Sequence, residues 1–252
     1  MRFLAALHRW WGVAFCLLFA MWFASGIVMH FVPFPARSEQ PLPAGIDARA
    51  AGEAIDYDQW TVAGDYNADR PLRRVARDDA AGTEIYLSSK SGNIVLTTTR
   101  GERLLNYPGS IAHWFYPTGL RHHRELWSAM MWWLSLLATL GAMIGIIIGL
   151  TRLGRGLAYR GLRRWHHITG LIFAPFLLAW ISSGFLSMDD GNLFGHSDAL
   201  FRALHKPDFE PLASHPRLRT VTIVGLCLCG FAFSLTGAVL AWRRVAKSMA
   251  GA

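Results

Sequence analysis

His8 and His30 stand at the two ends of the first long apolar run of this chain, with Gly12 and Gly26 between them. On a helix of about 3.6 residues per turn these four positions share one stripe, within about 40° of each other. The third apolar run repeats the layout with His166, Gly170, Gly184 and Met188, and a serine precedes the second glycine in both runs (Ser25-Gly26, Ser183-Gly184). Imidazoles facing into an apolar bundle, with glycines leaving flat space beside them, suit a buried planar metal cofactor. An iron porphyrin that only passes electrons takes two axial ligands, and paired histidines supply them in b-type haem proteins. Ionisable groups inside such a bundle are costly and usually functional.

The pairing differs at the two ends. His8 and His166 occupy equivalent places in the repeat and can clasp one ring; the competing reading is contact with lipid headgroups beside Arg9 and Arg164. His167 is turned by about 100° from its neighbour and reads as a headgroup contact or a group behind the ligand. At the far end His30 matches Met188, and a His–Met site is chemically possible. His123 is an alternative: it lies eighteen residues before Gly141, in phase with the Gly141–Gly145–Gly149 stripe, whereas His122 points off that face. Those glycines serve close helix packing equally well. His196, His205 and His215 fall in an irregular polar segment and read as solvated. His8 and His30 are roughly 33 Å apart along a helix, about one bilayer, so two haems, one near each face, are expected. With three Cys and no Cys-x-x-Cys-His, covalently attached haem is not expected.

Four stretches of spanning length must position these residues: Leu7–Val32, Leu126–Leu150, His167–Ser187 and Val221–Trp242. The chain is 52% hydrophobic with eleven Trp, and many of these Trp gather near the stretch ends, as interfacial anchors do. The segments Met1–Arg9, Thr151–His166 and Arg243–Ala252 hold ten Lys/Arg and no acid, while all seventeen Asp and Glu lie in Pro33–Glu125 and Met188–Thr220. By the positive-inside rule both termini are cytoplasmic. The formal charge of +8 then reports topology and contact with anionic lipid, and nucleic acid is not an expected partner. The first run is longer than a typical signal core and is read as a retained helix.

The expected fold is an all-α membrane protein, a four-helix bundle of two pseudo-symmetric hairpins, with a small α+β insertion between helices 1 and 2. Its divisions are helix 1 to residue 32, the insertion 33–125, helix 2 126–150, a basic loop 151–166, helix 3 167–187, an external loop 188–220, and helix 4 with a basic end 221–252. Helix 2 aligns with helix 4, Ile144-Gly145-Ile146 over Thr236-Gly237-Ala238. Inside the insertion, a proline-rich linker (Pro33 to Pro43) leads to a short helix at Asp47–Ile55. Strands are predicted at Gln59–Asp65, Leu72–Arg77, Glu84–Ser88 and Asn93–Thr98, with turns at Asp78–Gly82 and Ser89–Asn93.

The opening His8-Arg9-Trp10-Trp11-Gly12, the Ser25-Gly26 pair, the turn closing Ile85–Gly92, and His166-His167-x-x-Gly170 together resemble the PepSY-associated transmembrane family, which includes inner-membrane ferric-siderophore reductases. The resemblance implies a bacterial inner-membrane protein with a periplasmic PepSY-like insertion, b-type haem between its helices, and reduction of a ferric chelate or siderophore outside. It also makes His113 a competing ligand, since the family places a histidine before its second helix. The chain departs from longer relatives in having one compact insertion and little between helices 3 and 4. No dinucleotide fingerprint or flavin motif occurs, so a cytoplasmic donor, a flavoprotein or a reduced nucleotide or flavin, is expected to approach the basic face. The alternative function is a haem-free scaffold or regulator whose insertion binds a peptide or protease. A transporter ranks last, because no charged group interrupts the middle of any span.

Overall fold

The computed structural model describes residues 2–42, 52–154, 159–186 and 198–250. The chain divides into two compact units, Met1–Ile27 with Ser128–Ala252, and Val28–Trp127.

The first unit is helical. Its principal elements are α1 (Arg2–Phe31), α4 (Arg124–Leu153), α5 (Leu162–Leu186) and α7 (Pro216–Ala250), with the short α6 (Asp198–His205) between the last two. All four long helices are long and apolar enough to cross a membrane, and each runs past the apolar stretch that announces it. Outward side chains such as Leu17 (67% exposed), Ile172 (70%) and Val221 (70%) leave a surface that only hydrocarbon solvates well. The interior is a cluster of Phe23, Ala142, Phe173, Leu177, Ile223 and Cys227. Phe23 meets Phe173 edge-on at 5.5 Å, and its ring lies where a side chain at Gly230 would be, so the missing Cβ lets α1 and α7 close. Buried hydroxyls bond back into their own helices, Thr139 to Ser135 O (2.8 Å) and Ser234 to Gly230 O (2.8 Å). A hydroxyl bonded in this way needs no water. α5 carries Pro175 in its interior.

The second unit is a four-stranded antiparallel sheet in the order β1-β2-β3-β4 (β1 Glu53–Ile55, β2 Leu72–Ala76, β3 Glu84–Ser88, β4 Ile94–Thr98). It also contains α2 (Arg100–Asn106), a wide helical turn at Tyr107–Ile111 and α3 (Thr118–His122). Gly82 and Gly92 adopt φ of +58° and +75° at the two predicted turns, the conformation that glycine enters without strain. The core gathers Trp60, Tyr66, Leu72, Tyr86, Val95, Leu96 and Ile111. Thr99 and Glu102 form a reciprocal capping box on α2. Part of the proline-rich linker is pinned to the sheet: Gln40 bridges Ile94 and Ser38 N–H donates to Val95 O at 3.0 Å, covering an open edge.

Two sequence expectations differ. Gln59–Asp65 is not a strand, because the Asp58 carboxylate accepts from Trp60 N–H (2.9 Å), Thr61 N–H (3.1 Å) and Thr61 Oγ1 (2.9 Å). A side chain that captures its own backbone in this way competes with sheet pairing. The first strand is instead Glu53–Ile55, paired with Leu72–Arg74 and tied by a 2.7 Å Arg74–Glu53 ion pair; the helix predicted over Asp47–Ile55 has its C-terminal part here, and 47–51 lie outside the described residues.

α6 docks on α5 through His205, whose Nδ1–H donates to Trp180 O at 2.9 Å. Burial, aided by Lys206 and opposed by that hydrogen bond, holds the His205 pKa below its ordinary 6.5. The folded state therefore resists protonation, so this docking is at full strength above about pH 6.5 and weakens as pH falls below it. Hydrogen exchange on the full-length protein is expected to show α6 amides opening more readily at pH 5 than at pH 8. His205→Gln is expected to flatten that dependence.

Candidate functional site

A cavity of about 1040 Å³ lies among α1, α4, α5 and α7, with His8, His166 and His167 on its wall beside Gly12, Gly145 and Gly237. Each histidine is delivered by an intact helix rather than a loop, which fixes its backbone to the bundle.

The hydrogen bonds assign the nitrogens. His166 Nδ1 is 2.8 Å from Thr236 Oγ1, and Thr236 Oγ1 is 2.7 Å from Phe233 O. A carbonyl only accepts, so the single hydroxyl proton of Thr236 goes to Phe233 O. The hydroxyl oxygen then accepts from Nδ1–H, and Nε2 of a neutral His166 is a bare lone pair. The ring is further held flat against Phe233, at 4.7 Å and 11°. His167 Nε2–H donates to Gly149 O at 2.9 Å, and its buried Nδ1 has no hydrogen-bond partner. The His8 ring lies against Gly145 of α4, its Cε1 2.8 Å from where a Cβ there would be, and its buried Nδ1 has no hydrogen-bond partner. His166 and His167 thus each commit one nitrogen to the protein and hold a lone pair on the other, the state in which histidine binds metal.

The glycines divide by role. A Cβ on Gly12 would meet only Cys16 Sγ, at 3.6 Å, so this position is open to the cavity. A Cβ on Gly145 would sit 2.8 Å from His8 Cε1, so this glycine admits the imidazole itself, whereas one on Gly237 would meet Cys16 Sγ first, at 2.7 Å, and His166 Cε1 at 3.3 Å. Gly141 makes way for the Trp11 indole, whose Nε1–H donates to Leu137 O at 2.9 Å. Gly170 makes way for Phe233, the ring that supports His166. Gly26 packs against Cys227 Sγ (3.8 Å), and the space at Gly184 is filled by His205. Gly26 and Gly184 therefore serve packing away from this cavity.

Of the residues predicted for the far end, His30, His113 and His123 lie in the other unit. His30 sits in the last turn of α1 with its ring against Phe31 at 5.1 Å. His113 is half-buried just past the wide turn at Tyr107–Ile111. His123 ends α3 with φ −87° and ψ 74°, outside helical space, so the helical phase counted back from Gly141 does not reach it. His122 stacks on Tyr57 at 4.5 Å. Met188 and His196 lie outside the described residues.

Sequence reasoning missed Thr236, Phe233 and the inward position of His167. The only signal was the alignment of Thr236-Gly237 with Ile144-Gly145. Ile144 has no hydroxyl to offer, and His8 Nδ1 has no partner.

Apolar spans around a histidine-lined cavity define a multi-pass membrane protein. Residues 5–219 match the family described as the PepSY-associated TM region, and the chain belongs to that family. Neither a curated protein nor a solved structure matches it.

Gly145→Ala is expected to destabilise the bundle by about 1–3 kcal/mol, the usual cost of overpacking, because the new methyl displaces His8. Gly225→Ala, where nothing lies within 4 Å, is expected to leave the thermal midpoint in detergent unchanged.

Proposed function

We propose that the protein is a transmembrane carrier of electrons on b-type haem, in which His8 and His166 would hold one haem in the cavity among α1, α4, α5 and α7. The observation that carries this reading is the convergence of His8 and His166 on one cavity, with the second nitrogen of His166 bonded to Thr236. Metal-bound histidine characteristically shows this second-nitrogen bond. The volume fits as well: about 1040 Å³ reaches the upper end of the range of roughly 300–1,000 Å³ for drug-sized ligands.

Haem would supply reversible one-electron chemistry at iron. The chain's own residues hold the ring plane: Thr236 sets the His166 tautomer, Phe233 its orientation, and Gly12 leaves the flat space. The two hairpins are read as pseudo-symmetric, with His8 beside Gly145 in one and His166 beside Gly237 in the other. Both termini are placed in the cytoplasm and Val28–Trp127 in the periplasm as a PepSY-like domain of a bacterial inner-membrane protein. A second haem would use His30, with His113, His123 or Met188 completing it. The reaction is electron transfer from a cytoplasmic flavoprotein or reduced nucleotide or flavin to a periplasmic ferric chelate or siderophore.

Protein purified from haem-sufficient cells is expected to show a reducible bis-imidazole absorption band and a positive pyridine haemochrome assay. His8→Ala and His166→Ala are each expected to remove one haem and leave the other. Colourless wild-type protein would instead favour a haem-free scaffold binding a peptide or protease. Thr236→Val, which keeps shape but deletes the acceptor, is expected to raise the haem midpoint potential in a redox titration, with Thr236→Ser restoring it.

A further inference from the structure

The mouth of the same cavity is lined by Arg9, Arg152, Arg160, Arg163, Arg243, Arg244 and Lys247, and no Asp or Glu lines it. These seven cations come from three separate stretches of sequence, each without a single acid. Among the described residues none of the seven takes part in an ion pair; the ion pairs between described residues fall on Arg37, Arg74, Arg103 and Arg219. Orientation in a membrane requires only that basic residues lie on one side. It does not require them to converge on the entrance of an apolar cavity, where their mutual repulsion is strongest. The carboxylates of a haem would neutralise only two.

We propose that this mouth is a binding site for a phosphate group carried on an apolar or planar body that enters the cavity between the helices. Guanidinium groups match a phosphate with paired N–H donors in a planar fork, and basic pockets between spanning helices on the cytoplasmic side take phospholipid headgroups. Two sources share this chemistry: an anionic phospholipid of the adjoining leaflet, or a phosphorylated flavin arriving from solution as an electron donor. The site does not depend on haem being present, since it is defined by the unneutralised rim.

The test uses the full-length protein, wild type and two double variants, R160Q/R163Q and R243Q/R244Q, with Arg164→Gln as the control. Arg164 belongs to the same basic segment and is exposed but does not line the cavity. One arm titrates flavin mononucleotide and riboflavin into protein in lipid-depleted detergent and follows flavin fluorescence. The other weighs phospholipid retained from mixed vesicles of phosphatidylglycerol and phosphatidylcholine by native mass spectrometry. Binding of flavin mononucleotide at least tenfold tighter than riboflavin supports the site with a soluble ligand. Selective retention of phosphatidylglycerol supports it with a lipid ligand. In either case both double variants are expected to lose at least tenfold in affinity or most of the retained lipid, and R164Q to match wild type. No phosphate dependence in either arm, or equal losses in R164Q and the double variants, overturns the proposal. Haem content measured on the same samples separates this result from the haem reading, because phosphate binding with haem-free protein leaves the site standing.

Discussion

A neutral imidazole within an apolar bundle must place its one N–H on an acceptor, because an unbonded donor there forfeits the full desolvation cost of the group. Two of the cavity histidines meet that demand across helices. A backbone carbonyl of α4 takes the N–H of His167 at Gly149, while the α7 hydroxyl of Thr236 takes that of His166. With no side chain at Gly145, the His8 ring lies against the bare backbone of α4. For His166 and His167 the hydrogen bonds set which nitrogen keeps its lone pair.

The two units are stabilised by different means. The insertion folds as a water-soluble sheet does, around a dry core in which Leu72, Tyr86 and Val95 have no exposed surface, with its polar groups paired across strands and its helix capped. Between the spanning helices there is no hydrophobic drive, since lipid is as apolar as the interior. Close approach must come from small residues and aromatic rings fitted into the gaps they leave, as with Phe23 at Gly230, Trp11 at Gly141 and Phe233 at Gly170. Glycine has therefore three uses on one set of helices: packing, admitting an imidazole, and leaving open wall at Gly12.

Much of this was legible in the chain. The four spans were, because an uninterrupted apolar run of that length is too greasy to be solvated by water. Their ends were not: helices continue into charged sequence at Arg124, Leu162 and Pro216. Three strands were legible from alternation and glycine turns; Gln59–Asp65 was not, because the deciding atoms belong to the Asp58 side chain. The convergence of His8 and His166 on one cavity follows from helical period, and that period could equally have indicated that His167, one step round, meets α4 if the cavity wall extends that far. His205 was unreadable. It reaches Trp180 from 25 residues away, and nothing local in an irregular polar segment marks a histidine as the one that docks. Thr236 was hidden for a related reason: a threonine in an apolar helix is ordinary, and its meaning depends on a partner 70 residues distant.

Pro175 interrupts the ladder of α5 between its two histidine contacts. With no N–H at that position, the carbonyl of Leu171 has no donor in its own helix. The turn that joins the His166 end to the Trp180–Ser183 end is therefore held by one bond fewer than its neighbours. A rod with such a joint can tilt one half by a few degrees without unwinding the other. The imidazole seat near one membrane face and the α6 dock nearer the opposite face are in this way mechanically insulated along a helix that is continuous in sequence.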